Sequence, residues 1–296
     1  MAERKRLTIP DLAEAKRSGS KLAMVSTPDF LSASWAERAG ADLLIVGDSL
    51  SMIVYGHDNT LPLTVDTMIQ HCQAARRGAP NTFLVAAMPY GSTATPDAGI
   101  QNALRFMKEG GVDCVKMQGG RRQFRVIEAI AKAGIPVMGH VGMCPHFMHH
   151  YGGFKVQGRT AESAAEIVDD ALAIQEAGGV GMEIEAVPAP VAKAIDSAVD
   201  IFTFGIGAGP ACVGQVLLAY DLIGAFDRLS PKFVRRYAEV SRTAIDAIER
   251  YCADVRDGTF PAPEHCYAMP EDEARRLLEA DQASARTRTR RWRSTS

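Results

Sequence analysis

Seven residues with useful chemistry stand where short apolar runs give way to turns. Asp48 and Ser49 follow the run 43–46, Lys116 lies in the run 114–117, and Gln118 follows it. His140 lies within 137–141, while Glu183 and Glu185 flank Ile184. Carboxylates, a hydroxyl, an ammonium, an amide and an imidazole delivered to one place make a site for acid–base catalysis on a bound substrate. Each has a plainer reading. Asp48 suits a helix cap, Lys116 needs a partner if it is buried, and a histidine on an apolar strand is often a satisfied core residue. Glu183 and Glu185 share one face of a strand, because side chains alternate with period two. One of them then serves as catalyst and the other as its neighbour in a polar layer. Convergence carries the reading.

Convergence requires elements that aim all seven residues at one point. Apolar runs at 22–25, 43–46, 83–86, 114–117, 137–141, 182–184, 201–206 and 215–218 mostly lack alternation, as parallel strands covered on both faces do. Helix-period segments intervene at 65–77, 97–108 and 161–176, several closed by glycine: Gly78, Gly110-Gly111, Gly134 and Gly178. Eight strands with helices between them read as a closed (β/α)8 barrel, whose chemistry sits at the C-terminal ends of the strands. An open doubly wound sheet is the alternative. A further helix is expected over 232–252. Residues 1–268 read as one barrel with C-terminal helices and 269–296 as an extension, whose arginine-rich end (286–293) reads as a disordered tail.

Composition narrows the partners. With 47% hydrophobic residues, 23% charged residues and a net charge of -2, the chain reads as globular and carries no basic field for nucleic acid. It has no apolar run long enough for a membrane span. Its six cysteines form no Cys-x-x-Cys pair, which suits reduced thiols in the cytoplasm. Three other signals are weaker. Gly205-Ile-Gly-Ala-Gly209 lacks the dinucleotide spacing and reads as a tight turn near a ligand. His140, Cys144, His146, His149 and His150 match no closed zinc pattern. The stretch 144–159 reads as a mobile lid over the mouth.

Together these stretches resemble the ketopantoate hydroxymethyltransferase family. The resemblance rests on Ile45-Val-Gly-Asp-Ser-Leu50, Thr60-Leu-Pro-Leu-Thr-Val65, Arg76-Arg-Gly-Ala-Pro-Asn-Thr-Phe83 and Gly134-Ile-Pro-Val-Met-Gly-His140. It continues through Gly152-Gly-Phe-Lys-Val-Gln-Gly-Arg159, Gly205-Ile-Gly-Ala-Gly209 and Pro231-Lys-Phe-Val234, spanning about residues 7 to 268. It implies a barrel of the phosphoenolpyruvate mutase/isocitrate lyase type, assembled as a homo-oligomer (a decamer in the family) and working in cytoplasmic pantothenate biosynthesis. It implies transfer of a hydroxymethyl group from 5,10-methylenetetrahydrofolate to 2-oxoisovalerate, through an enolate that Mg²⁺ stabilises. On that pattern Asp48 is a metal ligand, Ser49 and Lys116 contact the substrate, Glu185 is the general base and His140 is the strand-five histidine.

Two positions break the pattern. The family's Val-Ala-Asp-Met-Pro is here Val85-Ala-Ala-Met-Pro89, so Ala87 replaces a metal-binding aspartate. The family's Val-Lys-Leu-Glu-Gly-Gly is here Val115-Lys-Met-Gln-Gly-Gly120, leaving Gln118 as a neutral oxygen ligand beside Asp48. The family's strand-one motif is also changed, to Ser26-Thr-Pro-Asp29. Mg²⁺ prefers carboxylate and water oxygens, so its hold is weakened here. Three readings follow: a hydroxymethyltransferase with a weaker metal site, a paralogue doing enolate chemistry on another 2-oxo acid, or an inactive binding or assembly protein.

Overall fold

The computed structural model describes residues 5–281. Two compact units divide after Ser241. In the first, eight parallel strands follow one another around a closed barrel: β1 (Leu22–Ser26), β2 (Leu43–Val46), β3 (Phe83–Ala87), β4 (Cys114–Lys116), β5 (Val137–Gly142), β6 (Gly181–Glu185), β7 (Phe202–Ile206) and β8 (Gly214–Leu218). Pairing of β1 with β8, from Leu22↔Gly214 to Ser26↔Leu218, closes the ring and excludes the open sheet.

Helix α1 (Ile9–Ser18) precedes the barrel, and α2 (Phe30–Ala39), α3 (Leu50–Ile53), α4 (Val65–Gly78) and α5 (Pro96–Lys108) follow the first three strands. Then come α6 (Phe124–Lys132), α7 (Met148–Tyr151), α8 (Ala161–Glu176), α9 (Ala189–Ala198) and α10 (Ala219–Leu222). Short polar side chains start the longer helices. Asp29 accepts from Ser32 N at 2.9 Å, and Thr64, Thr95 and Thr160 do the same for the third residues of α4, α5 and α8. Such caps satisfy N–H groups that have no partner inside the helix. Gly111, Gly134 and Gly178 take left-handed conformations after their helices. Gly78 does not. It ends α4, where a Cβ would lie 2.3 Å from Phe30 O, so its role is close approach to α2.

The barrel interior is layered. Toward the strand N-termini it is apolar: Met24, Leu43, Ile45, Phe83, Val85, Cys114, Met138, Phe202, Phe204 and Val216 form one buried cluster, which Leu12 of α1 joins. Phe202 and Phe204 fit because Gly181 and Gly214 face them, where a Cβ would lie 2.1 and 2.2 Å from the rings. Further along the same inward rows come Ser26, Ala87, Lys116, His140, Glu183 and Glu185. A second apolar cluster packs the outer face of the strands against the surrounding helices.

Two expectations need correction. No helix separates β7 from β8; residues 207–213 turn directly between them. The helix expected over 232–252 starts later, as α11 (Val240–Asp257). Residues before it are held in turns by tertiary bonds: Tyr237 N donates to Leu222 O, and Val240 N to Ile223 O. In the second unit, α11 carries Ile245, Ile248, Tyr251 and Val255 along one exposed row. The arginine-rich stretch 286–293 lies outside the described residues. Among the described residues no helix is long and apolar enough to cross a membrane.

Candidate functional site

The C-terminal ends of the strands bring most of the expected residues around one small cavity of about 50 Å³. Its lining includes Asp48, Ser49, Lys116, Glu183 and Glu185, with Ser26 added from β1. Period-two alternation puts Glu183 and Glu185 inward while Ile184 between them packs outside. Register sets His140 of β5 beside Glu183 of β6.

One wall of the cavity is a charged cluster. Lys116 Nζ donates to Glu183 Oε2 at 3.1 Å, with both side chains nearly sealed from solvent (4% and 6% exposed). Burial disfavours the ammonium, yet Glu183, Asp48 and Glu185 outweigh it, and the Lys116 pKa is pushed up to about 12. His140 Nε2 lies 3.2 Å from Glu185 Oε2, although neither ring nitrogen of His140 has an aligned hydrogen-bond partner. Burial raises the Glu185 pKa, and Glu183 adds to the rise, while His140 and Lys116 oppose it. A carboxyl raised in this way is a stronger base once ionised, which suits removal of a carbon-bound proton.

The opposite wall is built around Asp48, in the turn after β2. Gln118 Nε2 donates to Asp48 Oδ2 at 2.8 Å, and His146 Nε2 lies 3.0 Å from the same oxygen. The orientation of the Gln118 amide is fixed by a second contact: backbone His146 N donates to Gln118 Oε1 at 2.8 Å. Only the oxygen can accept there, so the nitrogen must face Asp48. Burial alone would raise the Asp48 pKa, but contact with His146 and the charges of His146, Lys116 and His140 hold it well below the usual carboxylate range. Tyr90 meets the His146 ring edge-on at 5.7 Å.

Asp48, Ser49, Lys116, His140 and Glu185 thus come together as a group. Gln118 also arrives, but as a nitrogen donor to Asp48 and not as the expected oxygen ligand. Ala87 offers no ligand atom. The histidine-rich segment disperses: His149 and His150 are exposed, Cys144 Sγ donates to His140 O, and His146 alone turns toward Asp48. His146 is the residue that the sequence reading left out of the site. Its signal was position, six residues beyond His140 in the loop leaving β5.

The two walls offer a divalent cation different donor sets. At Asp48 two nitrogens already stand against one oxygen, and no second carboxylate is present, so Mg²⁺ does not fit this donor set. Across the cavity, His140, Glu183 and Glu185 bring three ligand atoms within 4.8 Å of one another, a possible cation site. There the ammonium of Lys116 already supplies the positive charge.

Above the mouth lies a larger cavity of about 670 Å³. It is lined by Met52, Met143, Phe154, Val156, Leu229 and Phe233, with Lys155 and Lys232 at its wall. Residues 145–151 form two short helical turns before it. Gly207 and Gly209, both at positive φ, make the tight turn that borders it.

The family model for ketopantoate hydroxymethyltransferase matches residues 6–263. The chain belongs to that family. It is 48% identical over 276 residues to a 3-methyl-2-oxobutanoate hydroxymethyltransferase of Methylibium petroleiphilum, covering 93% of this chain and 94% of the relative. It is 44% identical over 262 residues to that of Thermus thermophilus, covering 88% and 100%. Among solved structures it resembles phosphonopyruvate hydrolase (TM-score 0.58, 16% identity, 93% and 99% covered). It also resembles 2,3-dimethylmalate lyase, a member of the PEP mutase/isocitrate lyase superfamily (TM-score 0.55, 17% identity, 95% and 99% covered). These likenesses show the fold of this hydroxymethyltransferase-family chain, a closed (β/α)8 barrel.

Proposed function

We propose that this chain is a hydroxymethyltransferase that adds a one-carbon unit from 5,10-methylenetetrahydrofolate to 2-oxoisovalerate, giving ketopantoate. The observation that carries the reading is Glu185, a carboxyl only 13% exposed and with a raised pKa, set beside His140 across a small cavity from Asp48 and Ser49. Glu185 takes the C3 proton of the 2-oxo acid, and His140 steadies its carboxyl group. Lys116, with one of its three N–H groups on Glu183, has two left for the substrate's oxygens. Ser49 contributes a hydroxyl from the facing turn. The C3 carbanion then forms a bond to the folate methylene carbon as one of that carbon's two bonds to folate nitrogen breaks. Water supplies the hydroxyl as the second bond breaks, and the two nitrogens take up the proton held by Glu185 and the proton left by water.

The apolar cavity above the mouth suits the co-substrate in kind. Its size is within the range of ligand pockets, its lining accepts a flat ring system, and Lys155 and Lys232 match a carboxylate-bearing tail. The family's homo-oligomer and a cytoplasmic setting belong to the same proposal. The exposed apolar row of α11 supports self-association, which sedimentation velocity would measure.

Proton NMR of 2-oxoisovalerate in D₂O tests the chemistry. Enzyme-dependent loss of the C3–H signal is expected, followed by ketopantoate formation when the folate is added; a persistent signal rejects this substrate. A second reading, the same enolate chemistry on a different 2-oxo acid, draws on Ala87 and the reworked surroundings of Asp48. It predicts C–H exchange with a related 2-oxo acid and none with 2-oxoisovalerate.

A further inference from the structure

Two features of the Asp48 wall have no place in a cation site. The first is occupancy. Gln118 Nε2 and His146 Nε2 stand 2.8 and 3.0 Å from Asp48 Oδ2. Mg²⁺ requires oxygens at about 2.0–2.1 Å in near-octahedral geometry and keeps several waters. The second is that the arrangement locks itself. The backbone N–H of His146 holds Gln118 Oε1 at 2.8 Å, which forces the amide nitrogen toward Asp48. Rotating Gln118 to present oxygen would face oxygen to oxygen at Asp48 and N–H to N–H at His146. Asp48, Gln118 and the His146 side chain are each at least nine-tenths buried, so little room remains for a hydrated ion. Ala87, on the inward row of β3, supplies no replacement ligand.

We infer that in this chain the ring of His146 and the carboxamide of Gln118 take the cation's place at Asp48, and that enolate formation proceeds without a divalent metal. The inference rests on the enolate reading above for its second half only; the occupancy of Asp48 stands apart from it. Charge on the enolate oxygen is then met by protein donors. Lys116 lines the same cavity as Asp48, as do Ser26 and Ser49. Fixed donors in a water-poor pocket are effective, because they need no reorganisation as charge develops. The three-ligand cluster on the other wall gives no alternative seat for the ion. A divalent cation among His140, Glu183 and Glu185 would face the Lys116 ammonium, 3.1 Å from Glu183.

The test uses the full chain, stripped with EDTA and desalted. Mn²⁺ is titrated in while the electron paramagnetic resonance signal of the free ion is followed, with and without 2-oxoisovalerate. C3–H exchange is measured in parallel with EDTA and with Mg²⁺. The inference expects no Mn²⁺ uptake into the millimolar range and the same exchange rate in both media. It also expects that the triple variant Ala87→Asp, Gln118→Glu, His146→Gln takes up about one Mn²⁺ per chain, since paired carboxylates are restored. Stoichiometric Mn²⁺ uptake by the unaltered chain overturns it, as does exchange that EDTA abolishes and Mg²⁺ restores. If exchange fails in both media, the substrate reading falls, and the Mn²⁺ titration still decides the metal question.

Discussion

Two carboxylates face each other across the mouth, and their surroundings drive them in opposite directions. Asp48 accepts from the Gln118 amide and has the His146 ring nitrogen 3.0 Å away, and its pKa is lowered. Glu185 is held up by burial and by Glu183, with His140 and Lys116 opposing only in part. One wall therefore keeps a permanent anion in place, while the other keeps a carboxyl poised for proton transfer. On the family resemblance, Ala87 and Gln118 stand where the pattern has acids, while Lys116, His140 and Glu185 match it. Proton abstraction depends on one atom at one position, whereas charge stabilisation can be met by different donors.

Substitutions at either wall should separate the roles of the two carboxylates. Glu185→Gln should reduce C3–H exchange by about 10²–10⁴-fold, the contribution of a positioned general base, with 2-oxo acid binding little changed. Exchange that survives in this variant would move the base to Glu183 and end the contrast. Lys116→Met leaves the buried Glu183 carboxyl without its partner. Urea denaturation should show a loss of about 3–5 kcal/mol at neutral pH, and an unchanged midpoint would mean that Glu183 finds another donor. Gln118→Glu sets a second carboxylate against Asp48 and costs Oδ2 its hydrogen bond. In EDTA it should lower stability by about 1–3 kcal/mol, partly recovered on adding Mn²⁺.

The smallest effects are in pH dependence. A raised Glu185 pKa places the acid limb of the exchange profile above the ordinary glutamate value of about 4.3, with activity rising as pH rises through it. The signs for stability are opposite at the two walls. Asp48, lowered on folding, adds stability above its unfolded value of about 3.9 that is lost as pH falls. Glu185, raised on folding, favours the folded state below about 4.3, and that contribution is lost as pH rises through its folded pKa. Denaturation of Asp48→Asn and Glu185→Gln from acid to neutral pH separates them. The first should flatten the loss on the acid side and the second the loss on the way to neutral. Equal behaviour of the two variants would erase the distinction.

Eight parallel strands and most of the residues around the mouth were legible in the sequence. Unbroken apolar runs such as 43–46 and 83–86 are what strands buried on both faces require. The alternation of Glu183, Ile184 and Glu185 fixes both carboxylates on one face whatever surrounds them. Local chemistry also placed the helix starts, since Asp29, Thr64, Thr95 and Thr160 act within three residues of themselves. Tertiary structure alone decided three matters. The chain between 232 and 239 is non-helical, and bonds from Tyr237 N to Leu222 O and from Val240 N to Ile223 O tie its end to the segment after β8. Ring closure depends on β1 meeting β8, residues far apart in sequence. The third is the state of Asp48. Gln118 lies 70 residues from it along the chain and His146 lies in the loop leaving β5, so no spacing rule links them. Only closure of the barrel brings β2, β4 and the β5 loop to one mouth, where a carboxylate out of water takes whichever donors packing sets beside it.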